Sequence, residues 1–582
     1  MVGRISPRLV VAWTIVLGFG SGCTRPGPGT SGRDAPGAET PGTSGAGRLG
    51  GSPSAPAMRF RAQELPFRYD RGESGLALPP ETTGGGVGLI DYDGDGDLDL
   101  FFAQGVPLPV GKAGSPPADV LLENRGGQRF EDVSARVGLT SKGYGQGVTV
   151  ADYDGDGDPD VYVTRYGPST LWRNDGGKFS DATADAGVAC GLWSLGAAFA
   201  DLDGDGDLDL FVANYFDFNP ADAPYLRDPR TGAAEYGPPA QFSGQPDVLY
   251  RNEGRGRFLD VTGPAGVAGR GRGMGVIASD LDDDGRIDLL VANDAEENAL
   301  WHNKGDGTFE EVAGPIGVAV NGEGKAEANM GIALGDTDGD GLADLLVTHF
   351  FGEHDTLWRA GRLPDGRISY SDKTLQAGLG AAGRLLTGWG VALADFDHDG
   401  HLDLIVTCGH IRREPGQAFS YENPPNLWRH DGRRRFVNAT SEAGPYFRSR
   451  HNGRGLAAGD LDGDGDLDLV IVHHHEPSVV LWNESPRRGK FLIVDLRGRG
   501  GNTDAIGARL VATVGGRRIH RTIDGGGSYL SSHDRRVHFG IGPADRVERL
   551  EVRWPSGRVE TRTDLPADTI IRWEEAKGSP PG

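Results

Sequence analysis

A single string recurs seven times in this chain and restricts what it can fold into: Asp-x-Asp-x-Asp-Gly-x-x-Asp. The copies start at Asp91, Asp152, Asp201, Asp280, Asp336, Asp395 and Asp460, in steps of 61, 49, 79, 56, 59 and 65 residues. Each follows a Gly and a short apolar run (147–151, 275–279, 390–394) and precedes a second β-rich run (210–213, 289–292, 404–407). Runs of four to six residues bounded by turn residues read as strands, so every loop joins the two strands of a hairpin. A Leu-aromatic-x-Asn step comes next, as in Leu171-Trp-Arg-Asn174 and Leu300-Trp-His-Asn303. A Gly-rich turn then leads to an aromatic strand opening at Phe179, Phe258, Phe309 or Tyr370. Asn and Gly tolerate positive φ, which reads this step as a tight hairpin.

Each unit thus holds four strands, the content of one propeller blade. The expected fold is all-β: a seven-bladed β-propeller with a small C-terminal β domain. Lone blades cannot bury both faces, so the ring must close. An aromatic segment begins at Phe67, ahead of the first loop, whereas the Leu-Trp strand at Leu481 has no aromatic strand after it. The N-terminal strand near Phe67 is therefore expected to complete the seventh blade beside Leu481.

The loops carry the chemistry. Calcium takes six to eight hard oxygen ligands, which a short loop supplies from carboxylates at positions 1, 3 and 5, a sharp turn at the glycine in position 6 and a carbonyl at position 7. A helical EF-hand would close with Glu at position 12, where the first loop has Phe102, so Asp at position 9 is the expected closing ligand. The candidate metal residues are Asp91, Asp93, Asp95 and Asp99; Asp152, Asp154, Asp156 and Asp160; Asp201, Asp203, Asp205 and Asp209; Asp280, Asp282, Asp284 and Asp288; Asp336, Asp338, Asp340 and Asp344; Asp395, Asp397, Asp399 and Asp403; and Asp460, Asp462, Asp464 and Asp468. Four carboxylates within nine residues repel one another unless a cation neutralises them. The ligand set, all oxygen and carboxylate-dense, favours Ca2+ over Mg2+, with about seven structural sites.

Charge and cysteine usage agree. Lys+Arg is 59 against Asp+Glu 83, a formal net charge of −24, which disfavours nucleic acid and anionic lipid and favours cations. Three Cys give no disulfide framework, so the ions are the expected staple. Gly, at 95 of 582 residues and without a collagen-like period, is assigned to turns. Arg4 and Arg8 precede an apolar run from Leu9 to Phe19, and Gly20, Ser21 and Gly22 lead to Cys23, which reads as a secretory signal over residues 1–22. A cysteine in that place resembles a lipoprotein signal with Cys23 as the lipidation site, although Gly20 stands where such signals usually have Leu. Residues 23–57, rich in Pro, Gly and Ser, read as a disordered tether, 58–486 as the propeller and 576–582 as a disordered tail.

With these residues in hand, the loops resemble FG-GAP/VCBS repeats, also found in integrin α-chains. The order Phe-x-Asp-x-Thr, Ala-Gly, Asp-Gly-Asp, Leu-Trp-x-Asn resembles the cartilage acidic protein family. Gly501-Asn-Thr-Asp-Ala-Ile-Gly-Ala-Arg509, Gly527-Ser-Tyr-Leu-Ser531, His538-Phe-Gly-Ile-Gly542 and Trp554-Pro-Ser-Gly557 resemble an ASPIC/UnbV domain. Asp283 at position 4, His398 and His401 in the sixth loop, and Ala360 in place of Asn depart from the pattern without removing a ligand. The resemblance implies an extracellular location, calcium dependence and interaction roles, and no defined reaction. Read from its own residues, 487–575 alternates apolar strands with turns at Gly515-Gly516 and Pro555-Ser-Gly557, as expected of a small sandwich or barrel.

Residues at equivalent strand ends should ring one face: Arg165-Tyr166, Asn214-Tyr215, Asn293-Asp294, His349-Phe350, His410 and His473-His474-His475-Glu476. Convergence of His349, His354, His410 and His474 with Glu476, near Cys408, would make a transition-metal site and an enzyme. The weightier alternative is a polar channel mouth or a partner surface. An insertion over residues 216–247, with Tyr225, Tyr236, Pro238 and Pro239, reads as an ordered binding lip. His533 and His538 are either an acid–base pair or structural, and Cys190 a small core residue. The expected function is a calcium-binding scaffold for an extracellular protein or glycan at the cell envelope. It would act as a monomer, without nucleic acid, and touch the membrane only through an N-terminal lipid. The alternative is a secreted metal-dependent polysaccharide lyase or hydrolase using the His-rich face.

Overall fold

A computed structural model describes residues 57–108, 119–140, 143–221, 226–227, 232, 234–380, 383–412 and 420–578. The signal, Cys23, all of the tether but its last residue, Tyr225 and the last four residues of the tail lie outside the described residues.

The seven loops fall on seven antiparallel sheets, six of four strands and one, the fourth blade's, joined by Gly525–Gly526 as a fifth. Their first strands are Val87–Ile90, Tyr144–Ala151, Ser194–Ala200, Gly273–Ser279, Ile332–Gly335, Gly388–Ala394 and Gly453–Gly459, here blades 1 to 7. Each of these strands touches the first strand of the next blade, and Gly453–Gly459 touches Val87–Ile90, so the ring is closed. The first two strands of a blade are buried almost throughout, which is why their sequences run apolar instead of alternating. The Gly ahead of each blade's first apolar run serves packing rather than a turn. A Cβ on Gly275 would lie 2.2 Å from the carbonyl oxygen of Met330 in blade 5, and one on Gly455 would lie 2.2 Å from that of Gly85 beside blade 1. Only glycine lets strands of neighbouring blades approach so closely around the axis.

The ring is sealed by Phe60–Glu64, which pairs antiparallel with Val479–Asn483 and sets Ala62 opposite Leu481. This corrects the expected register: the closing strand begins at Phe60, and Phe67 instead stacks on Phe102 with ring centroids 4.2 Å apart. Both aromatics precede the first loop, and only the packing around each ring distinguishes the strand residue from the core residue.

The Asn of Leu-aromatic-x-Asn also acts differently from its expected part. None of these asparagines has positive φ. The side chain reaches the neighbouring blade's loop: Asn174 Nδ2 donates to the Tyr92 carbonyl at 2.8 Å, Asn252 to Tyr153 at 3.0 Å, Asn303 to Leu202 at 2.7 Å and Asn483 to Phe396 at 3.0 Å. In blade 5, where Ala360 replaces Asn, the Tyr370 hydroxyl donates to the equivalent Leu281 carbonyl at 3.0 Å. The latch thus survives the substitution by a different donor.

The C-terminal strands form two sheets, Lys490–Arg497 between Val537–Gly542 and Thr569–Glu574, and Arg509–Val514 between Arg517–Thr522 and Arg546–Arg553, with Val559–Pro566 outermost. Leu492, Val494, Leu510, Ala512, Phe539, Leu550 and Val552 fill the space between them. This unit covers the loop face of the propeller. Residues 487–578 hold 18 Lys+Arg against 12 Asp+Glu, a basic unit on an acidic partner surface. Its segment Gly525–Asp534 runs along the propeller axis. There Gly527 N–H bonds the Val276 carbonyl (2.9 Å), Ile332 N–H the Ser528 carbonyl (3.0 Å), Val148 N–H the Leu530 carbonyl (3.0 Å) and Ser532 N–H the Val87 carbonyl (2.9 Å). Ser528 Oγ donates to Leu456 at 2.8 Å. Blades 1, 2, 4, 5 and 7 are thereby bonded to one short plug, and Tyr529 at its tip is fully buried against Trp389. The glycines 525–527 are required here: a Cβ on Gly525 would meet the Phe199 carbonyl at 2.2 Å.

Candidate functional site

In each aspartate loop, position 1 folds the turn upon itself. Asp152 accepts the N–H groups of Gly155 (2.8 Å), Asp156 (3.1 Å) and Gly157 (2.8 Å), and Asp336 those of Gly339, Asp340 and Gly341. The Gly at position 6 has φ between 87° and 102° in all seven copies, a conformation that explains its invariance within the chain. Position 4 is also left-handed, and there Asp283 (φ 64°) and His398 (φ 61°) take it without glycine. The position-9 carboxylate staples the hairpin: Asp160 accepts Tyr153 N–H at 3.2 Å on one oxygen and Asn174 N–H at 2.7 Å on the other. All seven position-9 aspartates, from Asp99 to Asp468, are at most 2 % exposed.

Carboxylate oxygens of positions 1, 3 and 9 lie within 4.8 Å of one another in the first three loops: Asp91, Asp93 and Asp99; Asp152, Asp154 and Asp160; Asp201, Asp203 and Asp209. At position 5, Asp95, Asp156 and Asp205 each accept the N–H two residues on. In the fourth loop Asp282 and Asp284 group instead with His302. Four oxygens are buried without a hydrogen-bond partner: Asp91 Oδ1, Asp154 Oδ1, Asp338 Oδ1 and Asp397 Oδ1. Burial pushes the carboxyls of Asp99, Asp209, Asp288 and Asp395 up to about 8. Carboxyls so placed are ionised at neutral pH only with a cation beside them. Converging oxygens, orphaned acceptors and an all-oxygen donor set fit a calcium ion, which would supply charge neutralisation and cross-link the hairpin. The fourth and sixth loops fit less well. Arg509 of the C-terminal unit lies 2.6 Å from Asp280, and Arg488 pairs with Asp397 (3.1 Å) and Asp399.

The strand-end face does not form the histidine site that stood as the lesser of the two readings. His349 lies 3.7 Å from Glu327, His410 packs on Phe350, and His474 stacks on Tyr69, three separate surroundings. Cys408 Sγ sits against the Val406 carbonyl, and Cys190 is buried as expected. His533 and His538 do not pair: His533 Nδ1 accepts Ala458 N–H, and His538 Nε2 contacts the Gly465 carbonyl. Arg165 is a buried structural partner of Asp119. Instead, His473 and Glu476 come together with His451, which the sequence reading did not single out because it lies in a loop ahead of the blade. The described residues of the insertion pack as a lip. Phe216, Phe218 and Phe242 cluster on Trp193, and Tyr236 reaches Arg71 at 3.4 Å across the face.

Two family models match the chain. The model described as ASPIC and UnbV covers residues 498–580, and the FG-GAP-like repeat model covers 91–163, 152–212 and 280–347. The chain carries FG-GAP-like repeats and an ASPIC/UnbV domain. It is 30% identical over 299 residues to cartilage acidic protein 1 of Xenopus tropicalis, covering 50% of this chain and 43% of that protein. It is 28% identical over 343 residues to the Homo sapiens protein, covering 56% and 47%. The matched region therefore spans about half the length of these relatives. Among solved structures, YCF48 bound to D1 peptide is similar at 11% identity and a TM-score of 0.38, covering 74% of this chain and 98% of that one. A rhamnogalacturonan lyase of Bacillus licheniformis is similar at 13% identity and 0.28, covering 74% and 91%. Similarity at that level bears on nothing beyond the fold.

Proposed function

We propose that the chain is a calcium-stabilised recognition scaffold, exported to the cell envelope and held there through Cys23, that binds an extracellular protein or glycan on its strand-end face. The observation that carries this reading is the placement of the C-terminal unit. It covers the loop face and fills the axis with Gly525–Asp534, which leaves the opposite face, among the described residues, as the broad free surface. On that face Leu385 is 68 % exposed, on a turn bonded to Gly352 beside the partly buried Phe350 and Phe351. Apolar groups held beside a lip of aromatic residues suit a macromolecular partner. The name of the relatives, cartilage acidic protein, is in keeping with an extracellular setting.

The test is binding of the labelled, purified chain to a glycan array and to immobilised envelope fractions, in calcium and in chelator, beside a Leu385→Asp variant. Calcium-dependent binding that falls at least tenfold in the variant is expected. Binding indifferent to both changes, or release of unsaturated sugars from an acidic polysaccharide, would overturn the reading and favour an enzyme.

A further inference from the structure

The upper end of blade 7 gathers groups that the scaffold does not need. His473 ends the strand Asp468–His473, Glu476 lies in the turn before Val479–Asn483, and His451 precedes Gly453–Gly459. One ligand atom from each lies within 4.8 Å of the others. Their hydrogen bonds fix where the protons are. His473 Nδ1 faces the Pro477 carbonyl at 2.8 Å, an acceptor only, so Nδ1 carries the proton and Nε2 presents a lone pair. Ser449 has one hydroxyl proton, directed at the Tyr446 carbonyl at 2.7 Å. Its oxygen therefore accepts from His451 Nε2, 2.7 Å away, and His451 Nδ1 need not hold a proton. That nitrogen lies 3.2 Å from both oxygens of Glu476, which Asn452 N–H holds in place at 3.2 Å.

A bare imidazole nitrogen facing a carboxylate is repulsive unless a cation lies between them. The alternative is a second proton on His451 and a plain ion pair. One feature favours the cation. Each ring is oriented through its other nitrogen, by a carbonyl or a hydroxyl, the outer-shell arrangement typical of metal-bound histidine. We infer that His451 Nδ1, His473 Nε2 and Glu476 form a site for a divalent transition ion of the zinc class, distinct from the aspartate loops in place and in ligand chemistry. Two nitrogens and a carboxylate suit zinc better than calcium. The Tyr446 hydroxyl, 2.8 Å from His473 Nε2, gives up that bond and stands at the fourth position, or yields it to water.

The test uses the whole chain in excess calcium, which keeps the aspartate loops occupied, with Zn2+ alone in calorimetry and Co2+ alone in visible spectroscopy. One zinc per chain is expected, together with a Co2+ d–d absorption that zinc abolishes. His451→Gln and Glu476→Gln, both partly exposed positions, should weaken zinc at least tenfold while leaving the melting temperature in calcium unchanged. Zinc binding weaker than about 0.1 mM, or equal binding by wild type and both variants, would overturn the site. A protonated His451 in the zinc-treated protein, seen by NMR, would do so as well, leaving the ion pair.

Discussion

Excess chelator should lower the melting temperature by about 7–17 °C relative to millimolar calcium. Each ion that binds only the folded chain adds about 2.7 kcal/mol when free calcium is a hundredfold above its dissociation constant. The three loops whose position-1, 3 and 9 oxygens already converge would thus contribute about 8 kcal/mol, and seven loops about 19 kcal/mol. An unfolding entropy of about 1.1 kcal/mol/K for a folded unit of roughly 520 residues converts these into the stated range. Calorimetry in the two conditions checks it. A shift below about 2 °C would mean that the arginines at Asp280, Asp397 and Asp399 represent how all seven loops are neutralised.

Tyr529→Ala is expected to destabilise the chain by about 3–5 kcal/mol, the cost of emptying a fully buried aromatic site. The loss should exceed that of an ordinary core truncation in one respect. The plug bonds to blades 1, 2, 4, 5 and 7, so loosening it frees the C-terminal unit from the ring as well as opening a cavity. Tyr529→Phe is the contrasting variant. The hydroxyl is buried without a hydrogen-bond partner, so its removal should be neutral or slightly stabilising. Denaturant unfolding with limited proteolysis of residues 484–534 separates the outcomes. Equal, small effects of both variants would mean that the plug does not hold the two parts together.

The blades were legible in the sequence because each is built from contacts close along the chain: a loop of nine residues, two short strands and an aromatic strand. Even the closure by an N-terminal strand could be read from the unpaired Leu481, although the register at Phe60 could not, since it depends on which aromatic packs against Phe396 and Phe447 in three dimensions. What escaped was everything carried between blades. The Gly ahead of each first apolar run looked like a turn residue, and it turns out to be where neighbouring backbones nearly touch. The asparagines looked like turn formers and are latches to the next loop. The motif Gly527-Ser-Tyr-Leu-Ser531 was recognised as a signature without a role, because its partners in several blades lie 72 residues away or more. The histidine site was sought at equivalent strand ends, whereas the rings that meet, His451 and His473, lie on one blade at unequal positions.

The most direct test of the aspartate loops is the calcium content of the purified chain after equilibrium dialysis against millimolar calcium, measured by elemental analysis against the dialysate. Three or more ions per chain are expected, falling by one in a variant with Asp152→Asn and Asp154→Asn together. Fewer than one ion per chain, with the fold intact, would contradict the assignment of these loops as the calcium sites that hold the propeller.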